Sequence, residues 1–581
     1  MSGIAGMLRY GEQVDKSDLS CMCDSLQPRG SDDQGLYIDH PVGLAHNHLK
    51  ITGRDEMAHQ PMSNEDGTVW ITYDGEIYNQ AELRSGLEKK GHAFCSKTDA
   101  EVIIHAYEQW GGDCLDRFNG MFAFAIWNKT RQELFLARDR VGQKPLYYYA
   151  SVDEFRFASG LQALLKPGGL PCRLNRQALE LYFTFLYIPA PFTIYQDVWK
   201  LPPASCLLVR PNSMITRRYW QVGRGETKQL VDDWLETLRA LLDQAVRRQL
   251  STDAPQGIFL SGGLDSSTVL AFASLYRQDL DTFTAGLGGR RDELFPAREV
   301  AAAFRTHHHE VVVTPPSPKL LRDLVRCYGE PFADSSAIPV YELACQARPH
   351  ITVALGGDGG DELFGGYRWY HRITLENRQT LEQKFLSGCQ MNKQELQHLF
   401  SFSCDHNLVL EFFHQHISPH RKKDLENIMQ FDFEVRLPGM GLTKTDIAAM
   451  AGKVEMRSPL LDHDLVEYVS ALPLEARLGT GQHFELKKCL REVLRKYALL
   501  PAGVIERGKQ GFGAPLHEWL RVDLKAFSES ILLDRGSLCW QLLNQKYVQE
   551  RLTRFYAGTD DQAYFFWKVI IFELWMEEFM A

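Results

Sequence analysis

Gly257-Ile258-Phe259-Leu260-Ser261-Gly262-Gly263-Leu264-Asp265-Ser266-Ser267 passes from a short apolar run through a Ser/Gly turn into a helical pattern. The apolar run predicts a buried strand, and 267–277 predicts a helix. Small residues at such a junction leave successive backbone N–H groups at a helix N-terminus, a cradle suited to phosphate-like anions. It is not a Walker A loop, because the G-x-x-x-x-G-K spacing and its lysine are missing. On its residues alone the turn is open between an anion cradle and a plain strand-to-helix connection.

Around this junction the pattern repeats. A helix is predicted over 230–250, and further strands over 282–285 and 351–355. Strands separated by helices imply a parallel sheet with right-handed crossovers. The C-terminal third is nearly all helical and ends in Trp567-Lys568-Val569-Ile570-Ile571-Phe572-Glu573-Leu574-Trp575, whose aromatics at helical spacing read as core. The first two hundred residues differ. Short β-rich runs at 69–73, 122–127 and 133–137 alternate with Gly, Asn and Asp turns, and helical patterns at 79–90 and 100–110 interrupt them, which predicts an α+β sandwich. A proline-rich stretch, 188–203, precedes the polar 221–227, which reads as a linker, so the expected domains are 1–215 and 216–581.

Composition narrows the class. At 581 residues with 44% hydrophobic and 24% charged content, the chain can bury two or more cores of ordinary soluble type. A net charge of −10 without a run of Lys or Arg argues against nucleic acid or an anionic membrane as partner. The 12 cysteines are scattered, and the close pair Cys21 and Cys23 lacks C-x-x-C spacing, which suits thiols in a reducing cytosol. Charges at Arg9, Glu12 and Asp15 interrupt any signal-like apolar core, and no stretch approaches a membrane span, so the expected location is cytoplasmic.

A second motif, Gly356-Gly357-Asp358-Gly359-Gly360-Asp361-Glu362-Leu363-Phe364-Gly365-Gly366-Tyr367, follows the apolar Val353-Ala354-Leu355. Its acids sit at the carboxyl end of a predicted strand, where open sheets bind ligands. Acids among so many glycines suggest metal and phosphate approached closely by backbone. His307-His308-His309 offers no such centre, because three consecutive side chains diverge along a strand or helix, and a structural or surface role follows.

The loop 260–267 resembles the pyrophosphate loop of ATP pyrophosphatases. The second motif is similar to the G-E-G-S-D-E-x-F-G-G-Y of asparagine synthetases, with Asp358 where many members carry Glu. The resemblance continues through Asp292-Glu293, His308-His309-Glu310, Glu330-Pro331-Phe332-Ala333-Asp334-Ser335-Ser336, Glu455-Met456-Arg457-Ser458-Pro459-Leu460-Leu461-Asp462 and Arg507-Gly508-Lys509-Gln510-Gly511-Phe512. At the other end, Met1-Ser2-Gly3-Ile4-Ala5-Gly6 and Tyr73-Asp74-Gly75-Glu76-Ile77-Tyr78-Asn79 resemble the class II glutamine amidotransferase domain of the asparagine synthetase B family.

This resemblance implies an N-terminal α+β Ntn-hydrolase-like sandwich and a C-terminal α/β ATP-pyrophosphatase domain with a parallel sheet and a helical C-terminal region. It implies that ATP adenylates a substrate carboxylate and that an amine displaces AMP to leave an amide. Asp265 and Asp361 would hold Mg²⁺ on the triphosphate, a normal hard-oxygen set. Backbone groups of Leu260, Ala285 and Gly357 would hold the adenine nucleotide, and Ser261, Gly262, Gly263 and Ser266 the pyrophosphate. Lys509 would stabilise charge at the reacting phosphorus and carbonyl, and Asp358 would accept the amine's proton.

Three positions depart from the pattern in the first domain. Ser2 stands for the nucleophilic Cys, His48 for the arginine that clamps the glutamine carboxylate, and Asp74 for the asparagine that donates to the oxyanion. A carboxylate only accepts, so a donor has become a repulsive charge. Losing one such donor costs about 100- to 1000-fold in rate. Gly75 and Glu76 keep the motif, and Asp99 still matches the residue that binds the glutamine amino group. The expectation is a glutaminase-dead domain on a ligase that takes ammonia or a substrate amine, as in the β-lactam synthetase branch. The alternatives are a glutamine-hydrolysing enzyme with Ser2 as nucleophile, and a catalytically inactive binding or regulatory homologue. The expected partners are a small-molecule carboxylate with ammonia or an amine, no nucleic acid and no membrane, with a homodimer left open. Thr443-Lys444-Thr445-Asp446-Ile447 lacks the arginine of the family's V-K-V-D-R, which leaves the carboxyl substrate open.

Overall fold

Alternation along Gly120–Asn128 shows how the first half is built. Phe122, Phe124 and Ile126 enter one core while Ala123, Ala125 and Trp127 enter another, so the strand is apolar on both faces. The computed structural model describes residues 2–581 except 52–58, 171, 212, 224–232, 251–253, 289–292, 376–377, 405–406, 418–422, 510 and 512. Residues 224–227 of the expected linker, Asp292, Gln510 and Phe512 therefore lie outside the described residues.

The strands of this half are β1 (Ser2–Arg9), β2 (Asp33–Asp39), β3 (Val42–His48), β4 (Met62–Ser63), β5 (Val69–Ile77), β6 (Gly120–Asn128), β7 (Glu133–Arg138), β8 (Tyr147–Ala150), β9 (Glu154–Ala158), β10 (Val198–Lys200), β11 (Ser205–Arg210) and β12 (Ser213–Arg218). They form two six-stranded sheets, β10-β8-β9-β1-β3-β2 and β12-β11-β7-β6-β5-β4. Ile4, Leu8, Val42 and Leu44 of the first meet Ala123, Ala125, Trp127 and Leu136 of the second in a shared core. The helices Gln80–Glu88 and Asp99–Trp110 cover the outer face of the second sheet. The result is the expected α+β sandwich. Its last strand, β12, reaches Arg218 by pairing with β11 and so runs past the expected boundary at 215.

The second half holds a five-stranded, all-parallel sheet of order β15-β14-β13-β16-β17, made of β13 (Gln256–Phe259), β14 (Asp281–Gly286), β15 (His307–Val312), β16 (Val353–Leu355) and β17 (Glu455–Arg457). Strands β15 and β17 escape a pattern reading for opposite reasons: β15 is an exposed polar edge, and β17 is three residues long with charged ends. The histidines of β15 diverge as expected. His308 Nδ1 meets the Thr282 hydroxyl at 3.0 Å, while His309 Nε2 lies 2.8 Å from Asp281.

The helix Ala563–Phe579 is buried along nearly its whole length, which explains its all-round apolar sequence. It joins the halves: the Tyr182 hydroxyl donates to the Lys568 carbonyl at 2.9 Å, and Lys568 donates to the Phe183 carbonyl at 2.7 Å. Trp575 is fully buried and donates to the Gly329 carbonyl at 3.1 Å. Among the described residues no helix is long and apolar enough to cross a membrane. Trp575→Ala is expected to cost about 3–5 kcal/mol through the cavity it leaves. Chemical denaturation followed by circular dichroism measures this, and a loss below about 1 kcal/mol would show that the helix is not central to stability.

Candidate active sites

A cavity of about 780 Å³ opens at the carboxyl ends of β13, β14 and β16. That is within the usual size of a small-molecule site, and it lies at the edge of the sheet where ligands bind. Leu260, Ser261, Asp265, Ser266, Ala285, Gly357, Asp358, Asp361 and Lys509 all line it, so the two glycine-rich motifs and the distant lysine converge. Gly262 and Gly263 do not line it. Gly262 takes φ +65° against the helix Leu294–Phe304, where a Cβ would come within 2.6 Å of the Ala297 nitrogen.

The cradle is partly self-satisfied. The Ser261 N–H donates to the Ser266 hydroxyl at 3.1 Å, and the Gly263 N–H to the Ser261 hydroxyl at 3.2 Å. The expectation of successive open N–H groups across the whole loop is corrected, because the serines turn back on its backbone. The helix Leu264–Ala273 has Gly263 at its N-cap and no side-chain cap, which leaves its first-turn N–H groups for a ligand. The glycines of the second motif also serve packing. A Cβ on Gly357 would lie 2.7 Å from both Asp265 Cβ and Ser266 N, and one on Gly360 would lie 2.5 Å from Asp265 Cγ. Their density lets two loops touch, beyond letting a ligand approach.

Between the loops stands a residue that pattern reading misses. Lys487, which is 4% exposed, pairs with Asp265 and sits 2.6 Å from Asp361, and Asp361 also pairs with Lys509. Burial alone would raise the Asp361 carboxyl, but the two ammonium groups hold it down at about 2. Asp265 is shifted upward, chiefly by burial. Its Oδ1 is buried with no hydrogen-bond partner among the described residues. An orphaned carboxylate oxygen beside a second carboxylate is a donor set that fits a hard divalent cation. No local motif announces Lys487; it closes on the acids only because the chain around 480–488 folds under the second loop.

Arg368 donates to the Lys509 carbonyl at 2.7 Å and so fixes that backbone. Asp358 lies 3.5 Å from the Thr445 hydroxyl, and burial raises its carboxyl. Lys444, Arg368 and Arg436 supply further cationic groups to the cavity wall. Ile447, by contrast, lines a separate small cavity with Pro28, Arg29 and Tyr147 and does not line this one. The arginine missing there is therefore missing from the interface between the halves, and its absence says nothing about this cavity's own carboxylate contacts.

The second candidate site is at the start of β1. Antiparallel pairing sets Ser2 opposite His48, and the Ser2 hydroxyl is 3.5 Å from His48 Nδ1. Burial and the positive amino terminus push His48 down to about 4. The Ser2 N–H donates to Asp74 Oδ1 at 2.9 Å. Arg29 donates to the other Asp74 oxygen at 3.0 Å and to Asp446 at 2.7 Å, and Lys144 reaches Asp446 at 3.2 Å. The expectation of a bare repulsive charge is thus corrected: Arg29 neutralises Asp74, although the carboxylate still has no proton to give. Gly75 and Glu76 continue along β5, and burial lifts Glu76 to about 7 although Arg457 stands 3.3 Å away. Asp99 is raised by burial and accepts from the Tyr73 hydroxyl at 2.6 Å and the Ile77 N–H at 2.9 Å.

Glycine-rich loops at the carboxyl ends of a parallel sheet, joined to a two-sheet α+β sandwich, give one chain two candidate active sites. Residues 237–577 match the family model described as asparagine synthase, and residues 1–220 the one described as glutamine amidotransferase domain. The chain is 30% identical to glutamine-hydrolysing asparagine synthetase 1 of Bacillus subtilis, over 99% of this chain and 96% of that protein. It is 30% identical to synthetase 3 of the same organism over 95% of this chain and 93% of that one. It is 38% identical to a putative asparagine synthetase 2 of Methanocaldococcus jannaschii over 63% of this chain and 76% of that one. The chain belongs to the asparagine synthase family and is an ATP-dependent amide-forming ligase.

Lys487→Met strands the buried Asp265 carboxylate and leaves Asp361 with Lys509 alone, and removing one partner of a buried pair costs about 3–5 kcal/mol. The expected outcome is a loss of that size in chemical denaturation. A change under about 0.5 kcal/mol would mean that Lys487 does not hold the two loops together.

Proposed function

We propose that this ligase adenylates a small-molecule carboxylate and transfers the acyl group to ammonia or a substrate amine without hydrolysing glutamine. The carboxylate oxygen attacks the α-phosphorus of ATP and pyrophosphate leaves; the amine then attacks the acyl carbon, and AMP leaves with its bridging oxygen. Lys509 lines the cavity, where its charge would offset the negative charge that develops, and Lys487, buried behind Asp265 and Asp361, holds those acids in place. Asp358, raised by burial, accepts the proton that the attacking amine sheds. Asp265 and Asp361 are the residues that would hold Mg²⁺, which supplies charge neutralisation on the phosphates. The two units divide after Arg218, where the sandwich's last strand ends. Free cysteines throughout suit a reducing cytoplasm.

The observation that carries the loss of glutaminase activity is the contact between Asp74 and the Ser2 nitrogen at 2.9 Å. Removal of Met1 turns that N–H into an α-ammonium, whose ordinary pKa is about 8. A carboxylate against it favours the protonated form, so the amine that would activate the Ser2 hydroxyl is withheld. Asp74 also leaves the oxyanion without a side-chain donor. One observation favours the second reading, a serine amidase: the Ser2 hydroxyl faces a neutral imidazole at 3.5 Å. Yet a base held at about 4 has little driving force to deprotonate an alcohol at neutral pH.

Turnover is expected to yield AMP and pyrophosphate in equal amounts, as read by phosphorus NMR of reactions with candidate acids and amines. ADP as the nucleotide product would overturn the adenylation route. A glutaminase assay is expected to find negligible glutamate release from the wild type and little rescue by Ser2→Cys alone. Activity should return only in the triple variant Ser2→Cys, His48→Arg, Asp74→Asn, by at least about 100-fold. Robust wild-type release that vanishes in Ser2→Ala would establish the amidase instead.

A further inference from the structure

We propose that His92, His105 and Glu108 form a zinc site on the N-terminal sandwich, outside both sites described above. His105 and Glu108 stand three residues apart on one face of the helix Asp99–Trp110, and His92 enters from the turn after the helix Gln80–Glu88. Nδ1 of His92 is 3.2 Å from Nδ1 of His105, which is 2.9 Å from Glu108 Oε2; His92 Nδ1 is 3.8 Å from that same oxygen. A tetrahedral Zn²⁺ bonded at about 2.0–2.1 Å needs donor atoms about 3.3–3.4 Å apart. The three separations bracket that edge length. Without an ion, two ring nitrogens and a carboxylate oxygen converge on a point where the one proton of His105 Nδ1 can satisfy a single partner.

The surroundings orient two of the three donors as metal ligands are oriented. Asn64 donates to Glu108 Oε1 at 2.7 Å, which leaves Oε2 for the cluster. The far nitrogen of His92 is 3.3 Å from the Gln109 side-chain oxygen. The far nitrogen of His105, in a ring 1% exposed, has no hydrogen-bond partner among the described residues, and carboxylates of Glu65 and Glu101 each lie 3.9 Å away. At that distance the two carboxylates attract a proton on the ring electrostatically but do not hydrogen-bond it. Two nitrogens and one oxygen select zinc over magnesium or calcium, which prefer oxygen alone. His92 and Glu108 are partly exposed, so the ion can enter from water and keep one water ligand. The site would clamp the turn at His92 to the helix whose first residue is Asp99.

The full-length protein, stripped with a chelator and returned to zinc, is expected to retain one equivalent by elemental analysis that is absent from His92→Ala and from Glu108→Gln. His105 is left intact because its ring is part of the packed interior. Asn64→Ala should weaken binding by about 10- to 100-fold, measured against a chromophoric competitor. His309→Ala, which alters the separate cluster of Asp281, His309 and His350, should leave that equivalent in place. Cobalt substituted at the site should show the visible absorption of a tetrahedral ion. Zinc held no more tightly by the wild type than by His92→Ala would overturn the proposal, as would loss of the equivalent in His309→Ala with retention in His92→Ala.

Discussion

The ammonium of Lys487, buried between Asp265 and Asp361, is the contact on which the candidate synthetase site depends. Two carboxylates that close to one another, out of water, cannot both stay ionised without a cation. Lys487 supplies one from a third segment and so ties the loop after β13 to the loop after β16. Lys509 adds a second charge to Asp361 and is itself anchored through its carbonyl by Arg368. Lys509 lines the cavity beside those acids while Lys487 stays buried behind them, and Asp265 Oδ1 is left without a hydrogen-bond partner among the described residues.

Buried charge also joins the halves. Arg29 links Asp74 of the sandwich to Asp446 of the second half, and Lys144 shares that carboxylate. Arg457 on β17 reaches back to Glu76 on β5 while pairing with Glu455 at 2.6 Å. Residues at the positions of an amidotransferase site thus take part in the ionic contact between the two units. Paired charges of this kind are costly to break, because each orphan would stay buried. That gives a physical reason for a sandwich to persist on a ligase whose proposed chemistry does not use glutamine: Asp74 holds Arg29, which crosses to Asp446.

Much of the architecture is determined locally. The alternation Phe122, Phe124, Ile126 against Ala123, Ala125, Trp127 specifies a strand buried on both sides, and the Ser/Gly turn at 260–263 between an apolar run and a helix specifies a crossover unit. Ser2, His48 and Asp74 stand out only against the residues that the resemblance to the amidotransferase family implies at those positions. Edge strand β15 is not legible, since half its residues face water and carry no apolar period. Nor is β17, whose Glu455 and Arg457 are buried as a pair, with Arg457 also reaching Glu76 and the Gln249 carbonyl.

The sequence by itself determined the fold class, the two glycine-rich loops and the chemical nature of the residues they present, because strand pattern, turn residues and side-chain donors are properties of neighbours along the chain. Only the tertiary structure decided what compensates them: that Lys487 neutralises Asp265 and Asp361, that Arg29 neutralises Asp74, that Ile447 faces the interface rather than the cavity, and that His92 meets His105 and Glu108. Charge pairing and burial are set by distance in space, and the partners here come from segments whose separation along the chain carries no signal.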